Sequence, residues 1–102
     1  MDEFTKGYIV GLMVIQAYFV IDSQQPYIGM KLSVDDPNPL FLLQDELGGK
    51  VYGPYNHNER RYWLWRLYSK DDIPEAIVFL DRYLPRGQKR NKYVEWKNSL
   101  PT

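Results

Sequence analysis

The sequence predicts an α+β domain: one four-stranded antiparallel sheet with helices on one face and the other face left open. Three observations predict it. Two pairs of segments, Tyr18 to Gln24 with Tyr27 to Val34 and Lys50 to Tyr55 with Arg60 to Tyr68, are rich in aromatic and apolar residues that alternate with polar ones, the period of half-buried strands. Other stretches place apolar residues at helical spacing between capping residues. Proline, glycine and asparagine then divide the chain into helix, hairpin, helix, hairpin, helix, helix. Two hairpins side by side need cover on one face only.

Thr5 is the expected N-cap of a first helix running to about Gln16. The apolar run it enters, Tyr8 to Ile21 interrupted by Gln16, is shorter than the roughly 20 residues of a membrane span. No membrane partner is therefore expected. The run suits a buried helix, or one that packs on a partner. In the first hairpin Phe19 and Ile21 oppose Asp22 and Gln24, while Ile28, Met30, Leu32 and Val34 oppose Tyr27, Gly29, Lys31 and Ser33, with Pro26 marking the turn. Asn38-Pro39 reads as cap and first helical residue. Leu40, Leu43 and Leu47 make the stripe of that helix, and Gly48-Gly49 stops it. In the second hairpin, turning near Asn56-His57-Asn58, Trp63, Trp65 and Leu67 read as buried. Arg60, Tyr62, Arg66 and Tyr68 read as outward, with Leu64 the apolar exception. Ser69 to Asp72 reads as the cap of a helix to about Tyr83. A last helix, after Pro85-Arg86-Gly87, carries Tyr93, Trp96 and Leu100.

At 102 residues the chain is read as a single domain, residues 1–102, with a modest core. The absence of cysteine excludes disulfides and thiolate metal sites. The lone histidine, His57, reads as a solvated turn residue. Asp2 and Glu3 are not the basic opening of a secretory leader. A net charge of zero does not call for nucleic acid by itself. Locally the balance differs: from Arg82 onward Arg82, Arg86, Lys89, Arg90, Lys92 and Lys97 stand against Glu95 alone.

Three stretches, in their order and spacing, carry a family resemblance. The first is the helix-to-strand run Ile9 to Phe19. The second is Leu40 to Gly49, an amphipathic helix closed by Leu-Gly-Gly before a strand. The third is Trp65 to Ile73, followed by Phe79 to Leu84 and Lys89 to Lys97. Together, from about Thr5 to Leu100, they resemble the LAGLIDADG homing endonuclease and maturase family. The resemblance implies an αββαββα-type module, half of a saddle that pairs with a second copy as a homodimer through the first helix. It implies double-stranded DNA or structured RNA as partner. It also implies an intron-encoded origin and an intracellular setting that includes organelles. For the family, the activity is metal-dependent phosphodiester cleavage with Mg²⁺.

The chain departs from the family at the signature helix. There the family places an acid that meets its mate from a second module and holds metal against the scissile phosphates. Gln16 stands at that position and Val14 at the motif's other acidic one. A neutral amide is a poor ligand for a hard cation and cannot act as a base. The expectation is a nucleic-acid-binding protein with a degenerate site, without cofactor and without cleavage. Asp22, six residues on, is not a substitute. The competing readings are an active sequence-specific endonuclease that holds metal otherwise, and an assembly subunit that uses the fold without catalysis. Tyr8, Gly11, Leu12 and Ile15 are the expected dimer stripe, with Ile15 where the family has Gly or Ala and Ala17 where it has Gly. Lys89 matches the basic residue preceding the family's last helix, near the scissile phosphates. The plainer reading makes it one more member of the basic cluster. Asp22, Gln24, Tyr27, Lys31, Ser33, Arg60, Tyr62, Arg66 and Tyr68 are the candidate nucleic-acid contacts. Arg, Lys, Gln and Ser can read base edges, and tyrosines can stack on unpaired RNA bases. A solvated sheet face is the plain alternative. Asp71 and Asp72 read as a helix cap rather than a metal site.

Overall fold

The computed structural model describes residues 1–68 and 70–101. Helix α1 (Glu3–Gln16) leads directly into β1 (Ala17–Asp22), which turns into β2 (Gln25–Leu32). Helix α2 (Asn38–Leu47) precedes the hairpin of β3 (Lys50–His57) and β4 (Arg60–Leu67), and α3 (Asp72–Tyr83) and α4 (Gln88–Asn98) close the chain. The strands form one antiparallel sheet in the order β1-β2-β4-β3. The two hairpins join through β2 and β4, where Ile28 faces Leu67, Met30 faces Trp65 and Leu32 faces Trp63. These partners, with Ala17, Phe19 and Val51, make the face beneath the helices. Ile9 and Met13 of α1, Leu40, Leu43 and Leu47 of α2, Phe79 and Leu80 of α3, and Tyr93 and Trp96 of α4 fill the core against it.

Trp65 is fully enclosed, and its indole N–H donates to Gly48 O at 2.9 Å. That bond ties the end of α2 to β4. Gly49, at φ 84°, is obligatory beside it, because a Cβ there would lie 2.7 Å from Arg66 O. Trp63 is only partly buried.

The element types are those expected, and the helices lie on one face. Several ends differ. Asp2, not Thr5, caps α1: its carboxylate accepts the Thr5 N–H at 2.7 Å. The first turn is Ser23-Gln24, with φ of 51° and 68°, so Gln24 leaves the sheet face, and Pro26 sits inside β2 opposite Ile21. β2 ends at Leu32, which puts Ser33 beyond the strand and leaves Val34 exposed. At α2, Asp36 Oδ1 accepts the Asn38 N–H at 3.0 Å, so Asn38 begins the helix rather than capping it. β3 runs through His57, and the second turn is Asn58-Glu59. Both two-residue turns have positive φ at each centre, the geometry that matches strand twist. Leu100 lies beyond the end of α4, packed at the core's edge. Ser69, part of the expected cap of α3, lies outside the described residues. Asp72 instead sends its carboxylate to the Gly49 N–H at 3.2 Å.

Candidate nucleic-acid interface

Alternation along the strands puts one residue in two on the open face. Tyr18 faces Gly29 and Val20 faces Tyr27 across β1 and β2; Gly29 faces Arg66 and Lys31 faces Leu64 across β2 and β4. Lys50 faces Arg66, Tyr52 faces Leu64 and Tyr55 faces Tyr62 across β3 and β4, with a register shift between Tyr52 and Tyr55. The shift keeps both tyrosines on the open side. Tyr18, Tyr27, Tyr52, Tyr55, Tyr62 and Tyr68 therefore stand on one surface.

Tyr18, Tyr27, Tyr68 and Tyr52 make one path of contacts across the sheet, and Tyr55 and Tyr62 make a separate pair. Tyr18 and Tyr27 meet edge to face at 6.3 Å, and Tyr27 and Tyr68 at 5.8 Å. The hydroxyls of Tyr68 and Tyr52 are 3.3 Å apart. Tyr55 and Tyr62 lie at 5.3 Å and 31°. The Tyr52 phenol is pushed up from its ordinary pKa, first by the hydrogen bond with Tyr68 and then by burial. Gly29 makes the path possible at its β1 end: the Tyr18 ring leans across it so closely that a Cβ would sit 2.4 Å from the ring.

Arg66 is the hub of this surface. It is half-buried, with its guanidinium 5.2 Å from the Tyr27 ring centre. Burial is the largest influence on it and opposes its charge, but the Tyr18 hydroxyl and the phenols of Tyr27 and Tyr68 more than offset that. Lys31 lies 4.3 Å from the centre of the Tyr62 ring. Asp22 and Arg60 are exposed at strand ends, and the Gln25 amide donates to Tyr68 O at 3.4 Å. Of the expected contacts, Tyr27, Lys31, Tyr62, Arg66 and Tyr68 come together; Asp22 and Arg60 lie at the margins, and Gln24 and Ser33 outside the strands. Tyr18, Tyr52 and Tyr55 join them unforeseen, although simple alternation from Asp22 and from Lys50 would have found Tyr18 and Tyr52.

Gln16 is exposed at the last turn of α1. Lys89 does not stand free beside it: its ammonium donates to Ala17 O, at the junction of α1 and β1. Burial, and then the neighbouring Lys92, push the Lys89 pKa down. Arg90 serves the same purpose one element away, donating to the carbonyls of Leu84, Leu80 and Asp81 at the end of α3. Cations at helix C-termini complement the macrodipole.

The outer side of α1 is uncovered. Phe4 is 84% and Ile15 74% exposed, with Tyr8 and Gly11 exposed between them. Leu12 differs from the expected stripe, since it packs partly against the core. Gly7, not singled out in the sequence, completes the surface: neither Gly7 nor Gly11 has anything within 4 Å of a Cβ position. Its signal was the spacing Gly7-x-x-x-Gly11 on one helix face. Among the described residues no helix is long and apolar enough to cross a membrane.

No family model and no curated protein matches the chain. Solved structures do. The meganuclease I-SmaMI bound to uncleavable DNA superposes with a TM-score of 0.73 at 17% identity, covering 91% of this chain and 35% of that one. The LAGLIDADG homing endonuclease I-GzeII in complex with its DNA target gives 0.73 at 18%, covering 91% and 34%. The archaeal intron-encoded homing endonuclease I-Vdi141I, complexed with DNA, gives 0.61 at 15%, covering 81% and 57%. The chain thus resembles one LAGLIDADG module in fold and spans about a third of the length of the first two.

Proposed function

We propose that this chain binds nucleic acid through the open face of its sheet, as one of two copies paired through α1, and does not cleave what it binds. The observation that carries the reading is the charge and chemistry of that face. In a chain with zero net charge, its strands present Lys31, Lys50, Arg60 and Arg66 against the single carboxylate Asp22. Cations of this kind neutralise phosphates and make affinity fall with salt. The three neighbours named above are DNA-bound in the structures that share this fold.

Pairing follows from α1. A helix with exposed Phe4, Tyr8 and Ile15, and with two glycines clear of neighbours, admits a second helix at close range. A two-fold pair would set two open faces side by side. The lack of cleavage follows from donor chemistry. At the end of α1 the donors do not suit Mg²⁺: Gln16 offers a neutral amide oxygen, and the nearby ammonium of Lys89 is bound to Ala17 O. Asp22, six residues along an extended strand, is roughly 20 Å from Gln16.

Fluorescence anisotropy with labelled oligonucleotides over a range of salt tests the reading. Binding should weaken as salt rises. Arg66→Ala and Lys31→Ala should each lower both affinity and salt slope. The same oligonucleotides should stay intact with Mg²⁺ or Mn²⁺. No binding to any polymer would instead favour an assembly subunit.

A further inference from the structure

The open face is better equipped to stack bases than to read their edges. Major-groove readout needs side chains free to make paired hydrogen bonds to base edges. Here two of the side chains that could do so are tied down: the Arg66 guanidinium packs by the Tyr27 ring with a buried Nε that has no hydrogen-bond partner among the described residues, and the Gln25 amide is bonded to the Tyr68 carbonyl. Lys31, exposed beside the Tyr62 ring, is a point charge suited to phosphate rather than a paired donor for base edges. What the face offers instead is π surface. Six tyrosines cross four antiparallel strands whose other side is covered by helices, with Tyr18 on one edge strand and Tyr55 on the other. Tyr55 is 41% exposed, and the other five are half-buried. A four-stranded sheet with helices behind it and aromatics in front is a workable platform for splayed bases. Cations interleaved with such rings follow the backbone of a single strand. In duplex the faces of bases are hidden in the stack, so a tyrosine platform has little to hold.

We infer that the open face takes unpaired nucleobases, stacking them on the tyrosines while Lys31, Lys50 and Arg60 meet the phosphates of a single-stranded segment. This deepens the nucleic-acid reading above and rests on it. RNA and DNA share the chemistry of stacking and phosphate contact; the 2′-hydroxyl separates them. A tyrosine cluster that merely covered the sheet would be indifferent to whether a ligand's bases are paired.

The experiment is an anisotropy titration of the unmodified chain with labelled oligo-U, oligo-dT and an oligo-dA·oligo-dT duplex of equal length at one salt concentration. Tyr18→Leu, Tyr55→Leu and Tyr55→Phe follow. Single strands should bind more tightly than duplex by about tenfold or more, and each leucine variant should lose about tenfold in single-strand affinity. The phenylalanine variant, which keeps the π face, should bind as the unmodified chain does. Because oligo-U and oligo-dT differ in the thymine methyl as well as the 2′-hydroxyl, a preference between them is assigned to the sugar only where oligo-dU follows oligo-dT. Duplex binding equal to or tighter than both single strands overturns the inference and leaves the nucleic-acid reading standing. So do folded leucine variants with undiminished single-strand affinity. Failure to bind any of the three polymers overturns both. Should a leucine variant not fold, the ranking of the three ligands by the unmodified chain still decides.

Discussion

Trp65→Ala removes an indole with no solvent exposure and the hydrogen bond it makes to Gly48 O. An aromatic side chain of this size buries roughly 150–250 Å², worth about 4–6 kcal/mol at 25 cal/mol per Å². The unfolded chain already hides part of that area. The expected loss is therefore about 3–5 kcal/mol, a large part of the roughly 5–15 kcal/mol that holds a domain folded. Trp65→Phe separates the contributions. It keeps a ring between Met30 and Val51, the cross-strand partners, but leaves Gly48 O unsatisfied, at a cost of about 1–3 kcal/mol. Urea unfolding followed by far-UV circular dichroism measures both, provided the denaturant slope is unchanged. A loss below about 1 kcal/mol for the alanine variant would refute the reasoning. The faces of β4 would then be assigned the wrong way round, and Arg66 with them.

Ile15→Glu should convert a dimer to monomer in sedimentation velocity, since it sets a carboxylate on the 74% exposed residue of the apolar stripe; an unmodified chain that is monomeric at high concentration would refute the pairing. Gln16→Glu, nearly isosteric, should destabilise that dimer without metal and recover stability with Mg²⁺, because two like charges brought together need a cation between them; thermal unfolding insensitive to Mg²⁺ in this variant would count against it. Clean Mg²⁺-dependent cutting by the unmodified chain would refute the inactive reading. The Asp81 cluster predicts both ends of the pH profile. Lys97, 2.6 Å away, and then Tyr93 hold the Asp81 carboxyl below its ordinary range, so its contribution is present above the usual pKa of 3.8 and is lost on acidification. Burial, and then the hydrogen bond to Asp81, push the Tyr93 phenol up, so its contribution is complete below the ordinary 10.0 and is lost as pH rises beyond it. Asp81→Asn should flatten the acid limb and Tyr93→Phe the alkaline one in urea midpoints taken across pH.

Most of the fold was legible because burial and periodicity agree. Ile28, Met30, Trp65 and Leu67 alternate with Tyr27, Lys31 and Arg66, and the sheet's single covered face converts that alternation into sides. The turns were not legible. Ser23-Gln24 and Asn58-Glu59 adopt positive φ at both centres without the glycine that usually announces it. Pro26 and His57 therefore read as turn residues, and Gln24 as a strand residue, where the structure has the reverse. The tyrosine surface was half legible. Tyr62 and Tyr68 follow from β4 alone, but Tyr55 depends on the register shift beside Pro54, which alternation cannot foresee. The tie from Lys89 to Ala17 spans 72 residues and has no local signal.

Both margins of the sheet carry features that discourage further strands. On β1, α4 occupies backbone acceptors: the Trp96 indole donates to Val20 O at 2.9 Å, and Lys89 to Ala17 O. On β3, the Val51 N–H donates to Gln44 Oε1 at 3.1 Å, and Pro54 has no N–H to offer. Unpaired margins are where chains add to one another, swap segments or seed fibres. Growth by strand addition is thus discouraged at either end of this sheet. The pairing proposed through the exposed Phe4, Tyr8 and Ile15 of α1 closes on itself by two-fold symmetry, so a rise in concentration should yield a bounded species rather than a polymer.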